Sequence, residues 1–132
     1  MRTIKFRGKG KDSGRWHYGD LRRNDDKIYI EDNGRIYAVM PETVGQFAGL
    51  LDKNGNEIYE GDILHAIGGN DDTTGKHFYR PVSFVEGCFC LNVTEYNNVS
   101  IPLRNHIISH SLNWDIAGNI YDNPELLKGG GK

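Results

Sequence analysis

The stretch Val44-Gly45-Gln46-Phe47-Ala48-Gly49-Leu50-Leu51-Asp52-Lys53-Asn54-Gly55-Asn56-Glu57-Ile58-Tyr59-Glu60-Gly61-Asp62-Ile63-Leu64 decides how this sequence is read. Its centre, Asp52 to Glu57, is a polar turn crowded with residues that tolerate a left-handed backbone or bond their own main chain. Asp52, Asn54 and Asn56 imitate the start of a calcium loop. The glycine, however, falls at the fourth position rather than the sixth, and Ile63 stands where the bidentate glutamate belongs. A tight turn is therefore expected. After it, Gly61-Asp62 immediately precedes apolar Ile63-Leu64, an arrangement that lets a chain bend into a small barrel-like sheet. Apolar residues hold no 3.6-residue period over about twelve positions anywhere in the chain, so the fold is read as mainly β.

Working outward, the same pattern of short strands and turns repeats. Residues 3–7 alternate, Asp12-Ser13-Gly14 marks a turn, and 15–21 carries Trp16 and Tyr18 on one face. Residues 27–31 and 35–39 flank Asn33-Gly34, a hairpin signal, and Pro41 ends the pairing. Residues 68–75 read as a polar glycine-rich loop without the Gly-Lys-Ser/Thr ending of a phosphate loop. Residues 81–85 and 88–93 surround Glu86-Gly87, the length of a two-residue turn. Residues 100–103 and 105–109 are expected as edge strands, and 114–117 is short and apolar. One helix start is evident, with Asn123 as N-cap, Pro124 at the first helical position and Glu125 at the positive dipole end. The expected fold is several short twisted antiparallel sheets and hairpins, an SH3-like barrel component and a short C-terminal helix. Residues 1–128 are expected as a single domain, with hairpins over 1–43, a barrel-like part over 44–128 and a disordered tail over 129–132.

The composition agrees with a turn-rich globular chain: 17 glycines and 4 prolines in 132 residues, against an average glycine usage of about 7%. No run approaches the ~18 apolar residues of a transmembrane helix, and Met1-Arg2-Thr3-Ile4-Lys5 leads into no signal-peptide core. Neither a membrane span nor a secretory leader is expected, and the compartment expected is the cytoplasm. The net charge of −2 hides an asymmetry, because Arg2, Lys5, Arg7, Lys9, Lys11, Arg15, Arg22 and Arg23 face only Asp12 and Asp20 before residue 24. A basic segment of this kind serves a solvated face, a complementary oligomer contact or a nucleic-acid backbone. The candidate contact residues are Arg2, Lys5, Arg7, Lys9, Arg15, Arg22 and Arg23, with Trp16 and Tyr18 as aromatic companions. Tyr29 and Tyr37 extend that aromatic set. In the simplest reading, Lys5, Arg7 and Lys9 point outward while Ile4 and Phe6 point inward.

Chemistry-bearing constellations are sparse. Cys88 and Cys90 share one strand face and lack the geometry of a mutual disulfide, so reduced thiols are expected. His106 and His110 follow them and invite a zinc reading, but zinc cysteines are usually spaced two to four residues apart and this pair has one residue between. His17 with Asp20, or His65 with Asp62, can be written as an acid–base pair, yet Asp62 and His65 point to opposite faces of a strand. Gly-x-Ser-x-Gly and His-Glu-x-x-His are absent. No catalytic residue, metal or cofactor is assigned, and the chain is not expected to be an enzyme.

Three blocks of the sequence carry a family resemblance. Met1-Arg2-Thr3-Ile4-Lys5-Phe6-Arg7-Gly8 with Trp16-His17-Tyr18-Gly19-Asp20-Leu21 resembles the opening of YopX-like phage and prophage proteins. The central stretch 44–62 looks like that family's signature, and Ile116-Ala117-Gly118-Asn119-Ile120-Tyr121-Asp122-Asn123-Pro124-Glu125-Leu126-Leu127 is similar to its closing motif. The resemblance implies coiled β-sheets with an SH3-like part, self-assembly into a homo-oligomer, and a phage or prophage origin. It supplies no catalytic residue. Phe47, Gly49, Gly55, Tyr59, Gly61, Asp62, Gly118, Tyr121, Asn123 and Pro124 are read as fold-defining, because a signature of turns and aromatics fixes a fold. The function expected is a self-assembling binding module with a host or phage macromolecule as partner. A nucleic-acid-binding protein and a purely structural oligomer are the alternatives.

Overall fold

A computed structural model describes residues 2–69, 72, 74–93, 99–108 and 113–128. The expected tail at 129–132 lies outside the described residues, as do parts of the expected loop over 68–75. The strands are β1 (Phe6–Lys9), β2 (Trp16–Asn24), β3 (Lys27–Asp32), β4 (Arg35–Ala38), β5 (Gly45–Leu51), β6 (Glu57–Tyr59), β7 (Asp62–Ile67), β8 (His77–Val85), β9 (Cys88–Val93), β10 (Val99–Pro102) and β11 (Asp115–Asn119). They form two sheets, ordered β4-β3-β2-β1-β5-β6 and β10-β9-β8-β7-β11, and every pairing given below is antiparallel. The fold is mainly β. Among the described residues no helix is long and apolar enough to cross a membrane. The chain divides into two compact units, Met1–Gly49 and Leu50–Lys132.

In the first unit β2, β3 and β4 form a ribbon turned by tight hairpins. Asn33 and Gly34 both take positive φ, 50° and 80°, which makes the β3–β4 turn the mirror-image type that matches strand twist. Ile30 and Val39 are fully buried. Thr43 closes this core in the short 3₁₀ helix Pro41–Thr43, where its Oγ1 accepts from the Lys9 amide at 2.9 Å and donates to the Met40 carbonyl at 2.6 Å.

The second unit is built on the long hairpins β7–β8 and β8–β9, with Ile58, Ile63, Leu64, Leu91 and Leu103 fully buried. The turn that opened the sequence reading is organised by Asp52. Its Oδ1 accepts from the Asn54 and Asn56 amides at 2.9 Å each, and its Oδ2 accepts from Ile116 at 3.0 Å. The carboxylate is thus occupied by backbone, as a tight turn requires. Gly61 adopts φ +94°; its amide donates to Val82 and its carbonyl accepts from Ile120, each at 2.9 Å. Asp62, buried beside it, accepts from the Tyr59 amide at 2.7 Å.

The SH3-like component corresponds to the five-stranded sheet. Among the described residues its outer strands, β10 and β11, are not paired with each other, so the sheet does not close into a barrel. Two local expectations are corrected. Residues 105–108 belong to a helix, α1 (Leu103–Ile108), rather than an edge strand; residue 109 lies outside the described residues. Pro102 brings no amide to extend the pairing, and the chain turns there to bury Leu103 completely. The C-terminal helix is the 3₁₀ turn Pro124–Leu127, and Asn123 makes no side-chain cap to it. Its Oδ1 accepts instead from the Asn119 amide at 3.2 Å.

Candidate functional site

Directly opposed residues in an antiparallel pair share a face, so the register sorts the candidate contact residues. Arg7 faces Tyr18 and Lys9 faces Trp16, which puts those four on one side of the first unit's sheet, together with Asp20 and Arg22. His17, Leu21 and Arg23 lie on the other side, with Ile30 and Tyr37. Arg7 does not point into solvent as the alternation suggests. It is only 5% exposed, and its guanidinium lies 4.7 Å from the Trp16 ring centre. The aromatic face attracts the delocalised cation and offsets its desolvation. Ile4, expected to point inward, is 56% exposed. Arg22 is held by Glu31, whose Oε1 accepts from Nε at 2.8 Å and also from Nη2. Lys5 and Lys9 are half-buried, and Arg2 and Arg15 are exposed. Of the predicted basic residues, the register places Arg7, Lys9 and Arg22 on one face and Arg23 on the other.

What the structure does gather is an exposed ribbon. β2 is exposed from Asp20 through Asn24, and apolar side chains stand out on both of its sides. Leu21, 39% exposed, lies on one face, while Tyr18 and Ile36, 59% exposed, lie on the other. At the base of the ribbon His17 stacks flat on Tyr37, with centroids 3.8 Å apart and planes within 8°. The acidic partner of His17 is Asp32, at 3.8 Å from Nδ1, rather than Asp20. Beside this stack runs a cleft of ≈ 600 Å³ lined by Gly10, Asp12, Ser13, Arg15, His17 and Tyr37, among others.

In the second unit His65 finds its carboxylate in Asp115, 50 residues away, at 3.0 Å, and a second ring in His77 at 2.7 Å. The nearest carboxylate the sequence offers His65 is Asp62, on the opposite strand face, and a partner 50 residues away is not visible in it. The signal for His77 lies in its alternation with Tyr79, which puts both on the His65 face of the sheet. Cys88 is half-buried, Cys90 is buried, and His106 meets Trp114 edge-on; His110 lies outside the described residues. Burial, helped by a hydrogen bond and charge repulsion from Cys88, pushes the Cys90 thiol above its usual range. Timed alkylation of the native chain near neutral pH is expected to modify Cys88 first, with Cys90 reacting only slowly. Equal rates at the two thiols count against this arrangement.

His106 is shifted the other way, lowered from 6.5 by burial and then by the Arg80 charge. The unfolded chain therefore takes up this proton first as pH falls. The contribution of His106 to stability is complete above about 6.5 and is lost progressively below it, down to the depressed folded value. Denaturation midpoints between pH 7.5 and 5 are expected to fall less steeply in His106→Gln than in the parent; parallel curves disprove the assignment.

Residues 5–128 match the protein family described as YopX protein. The chain belongs to the YopX family. Two solved structures share the fold. Protein EF1440 from Enterococcus faecalis aligns over 97% of this chain and 100% of its own, with a TM-score of 0.61 and 21% identity. YopX from Bacillus subtilis aligns over 98% of each chain, with a TM-score of 0.59 and 19% identity. No curated protein matches the chain. Within this YopX-family chain the signature residues have structural duties. Tyr59 is buried and its hydroxyl donates to Glu57 at 3.0 Å. A Cβ on Gly118 would lie 2.4 Å from Asn123 Oδ1, the atom that receives the Asn119 amide. Gly118→Ala is expected to shift the thermal midpoint down by several degrees, through loss of that Asn123 contact; an unchanged midpoint contradicts the close approach.

Proposed function

We propose that this protein is a phage- or prophage-encoded accessory protein that self-associates and acts by binding, in the bacterial cytoplasm. Membership of the YopX family and the bacterial sources of the two similar structures support the setting. The two unpaired cysteines suit a reducing compartment. The observation that carries the binding role is the β2–β3–β4 ribbon. It offers apolar side chains to solvent on both faces, and its outer strand β4 ends the sheet, with an edge met among the described residues at its last residue, where the Ala38 carbonyl accepts from the Lys11 amide at 3.0 Å and Gly10 bridges Val39. A ribbon of this kind gains stability by pairing or packing against another surface. A second copy of the chain brings the same strand edge and the same apolar side chains, which suits a two-fold contact.

The test is light scattering of the full chain beside Leu21→Lys and Ile36→Lys. Both substitutions put charge on side chains already exposed, so the fold is expected to survive. The parent is expected to give a mass above the monomer and the variants to lower it. A parent that stays monomeric at high concentration removes the self-association reading. Addition of nonspecific DNA or RNA at low salt tests the macromolecular partner. Steeply salt-sensitive binding would redirect the reading towards nucleic acid.

A further inference from the structure

On one face of the second unit's sheet the cross-strand register sets Asp115 opposite His65 and His65 opposite Tyr79, with His77 two residues before Tyr79. The donors and acceptors in this row are fixed by chemistry. An ionised Asp115 only accepts, so His65 carries its proton on Nδ1, 3.0 Å from Oδ1, and turns a bare Nε2 lone pair outward. That lone pair meets Nδ1 of His77 at 2.7 Å. The ring centroids are 5.0 Å apart and the planes are within 21°, so with nitrogens this close the rings meet end to end rather than face to face. Tyr79 packs against the His65 ring, 4.9 Å between centroids, and steadies it. A carboxylate holding one imidazole nitrogen while the other presents its lone pair is the outer-sphere arrangement of metal-binding histidines.

We propose that His65 and His77 form a two-imidazole site for a divalent transition metal of the copper–nickel class, with Asp115 as the positioning carboxylate. The metal takes the place of the shared proton. Exposed His77 turns its ring and moves its own proton to the other nitrogen, so binding between neutral rings releases no net proton. Metal–nitrogen bonds of about 2.0–2.1 Å at a right angle need the nitrogens roughly 2.9 Å apart, whereas a tetrahedral angle needs about 3.3 Å. Both exceed the observed 2.7 Å, so the end-to-end rings part to admit the ion, and among divalent first-row metals the imidazole pair holds Cu²⁺ most tightly. Among the described residues no group of three or more His, Cys, Asp or Glu side chains could hold a metal ion, so water completes the coordination shell. A cleft of ≈ 230 Å³ lined by His65, Asp115, Asn113 and Lys53 lies beside the His65 ring, and the exposed His77 leaves the other side of the pair open to water. Lys53 is exposed and its charge opposes the cation, so Lys53→Ala is expected to tighten binding.

The test is calorimetric titration of the untagged full chain with NiCl₂, repeated with CuCl₂ in a Cys88→Ser/Cys90→Ser background to remove the thiols. One equivalent is expected to bind, with Cu²⁺ tighter than Ni²⁺ and two nitrogens visible in the Cu²⁺ electron paramagnetic resonance spectrum. His77→Ala, at an exposed position, is expected to abolish saturable binding with the circular dichroism spectrum unchanged. Asp115→Asn is expected to weaken binding by about 10–100-fold. Absence of saturable binding, or binding indifferent to His77→Ala, overturns the site. Affinity unchanged in Asp115→Asn overturns the role of the carboxylate.

Discussion

Replacement of Asp52 by alanine is expected to destabilise the chain by about 3–5 kcal/mol, measured by urea denaturation at pH 7. The carboxylate is buried and accepts from three backbone amides, those of Asn54, Asn56 and Ile116. Truncation leaves all three donors seeking partners, and the lost acceptor was a charged one, whose hydrogen bonds are the stronger kind. Two of the amides lie within the turn, and that of Ile116 ties the turn to β11. The loss is therefore felt both locally and across the unit. Asp52→Asn separates the contributions. It keeps an oxygen for Asn54 and Asn56 but aims an amide donor at the Ile116 donor, so an intermediate loss is expected. A loss below about 1 kcal/mol in the alanine variant shows that water replaces the carboxylate and that the turn does not depend on it.

The second large effect is expected at Gly19. A Cβ built there lies 1.9 Å from the Glu31 carbonyl oxygen, a backbone atom that no rotamer change can move aside. Gly19→Ala must therefore separate β2 from β3 near the start of their pairing, where Asp20 faces Glu31. The expected cost is about 3 kcal/mol or more, at the upper end for a core overlap, because the strain falls on the backbone itself. Hydrogen exchange localises the damage: amides of β2 through β4 are expected to lose protection, while those of β7 through β9 keep it. Uniform loss throughout the chain contradicts a local ribbon defect. The same variant also bears on function, since a displaced ribbon is expected to lose self-association even where the chain remains folded.

Much of this fold is legible wherever the determinant is local. Asn33-Gly34 and Glu86-Gly87 each announce a hairpin because both residues of each pair take positive φ. The Asp52 turn is readable because its side chain bonds amides two and four residues on. The helix α1 is hidden because Leu103 commits to it through burial, which propensity does not report. Arg7 is the sharper case. Alternation places it on the expected face, but the partner that draws it inward is Trp16, brought over it by the β1–β2 pairing. The His65–Asp115 pair illustrates the same limit, since a separation of 50 residues is closed only by the β7–β11 register. Of the candidate contact surface, the identities of Trp16, Tyr18 and the basic residues are legible, but their division between two faces follows from the pairing of β2 with both neighbours.

The exposed β2–β3–β4 ribbon as a self-association surface is the centre of this account, and sedimentation velocity of the full chain over a wide concentration range tests it most directly. The account predicts a boundary that moves to higher sedimentation coefficient as concentration rises, and that reverts towards the monomer when Ile36 is changed to lysine. A single monomeric boundary at every concentration would contradict it.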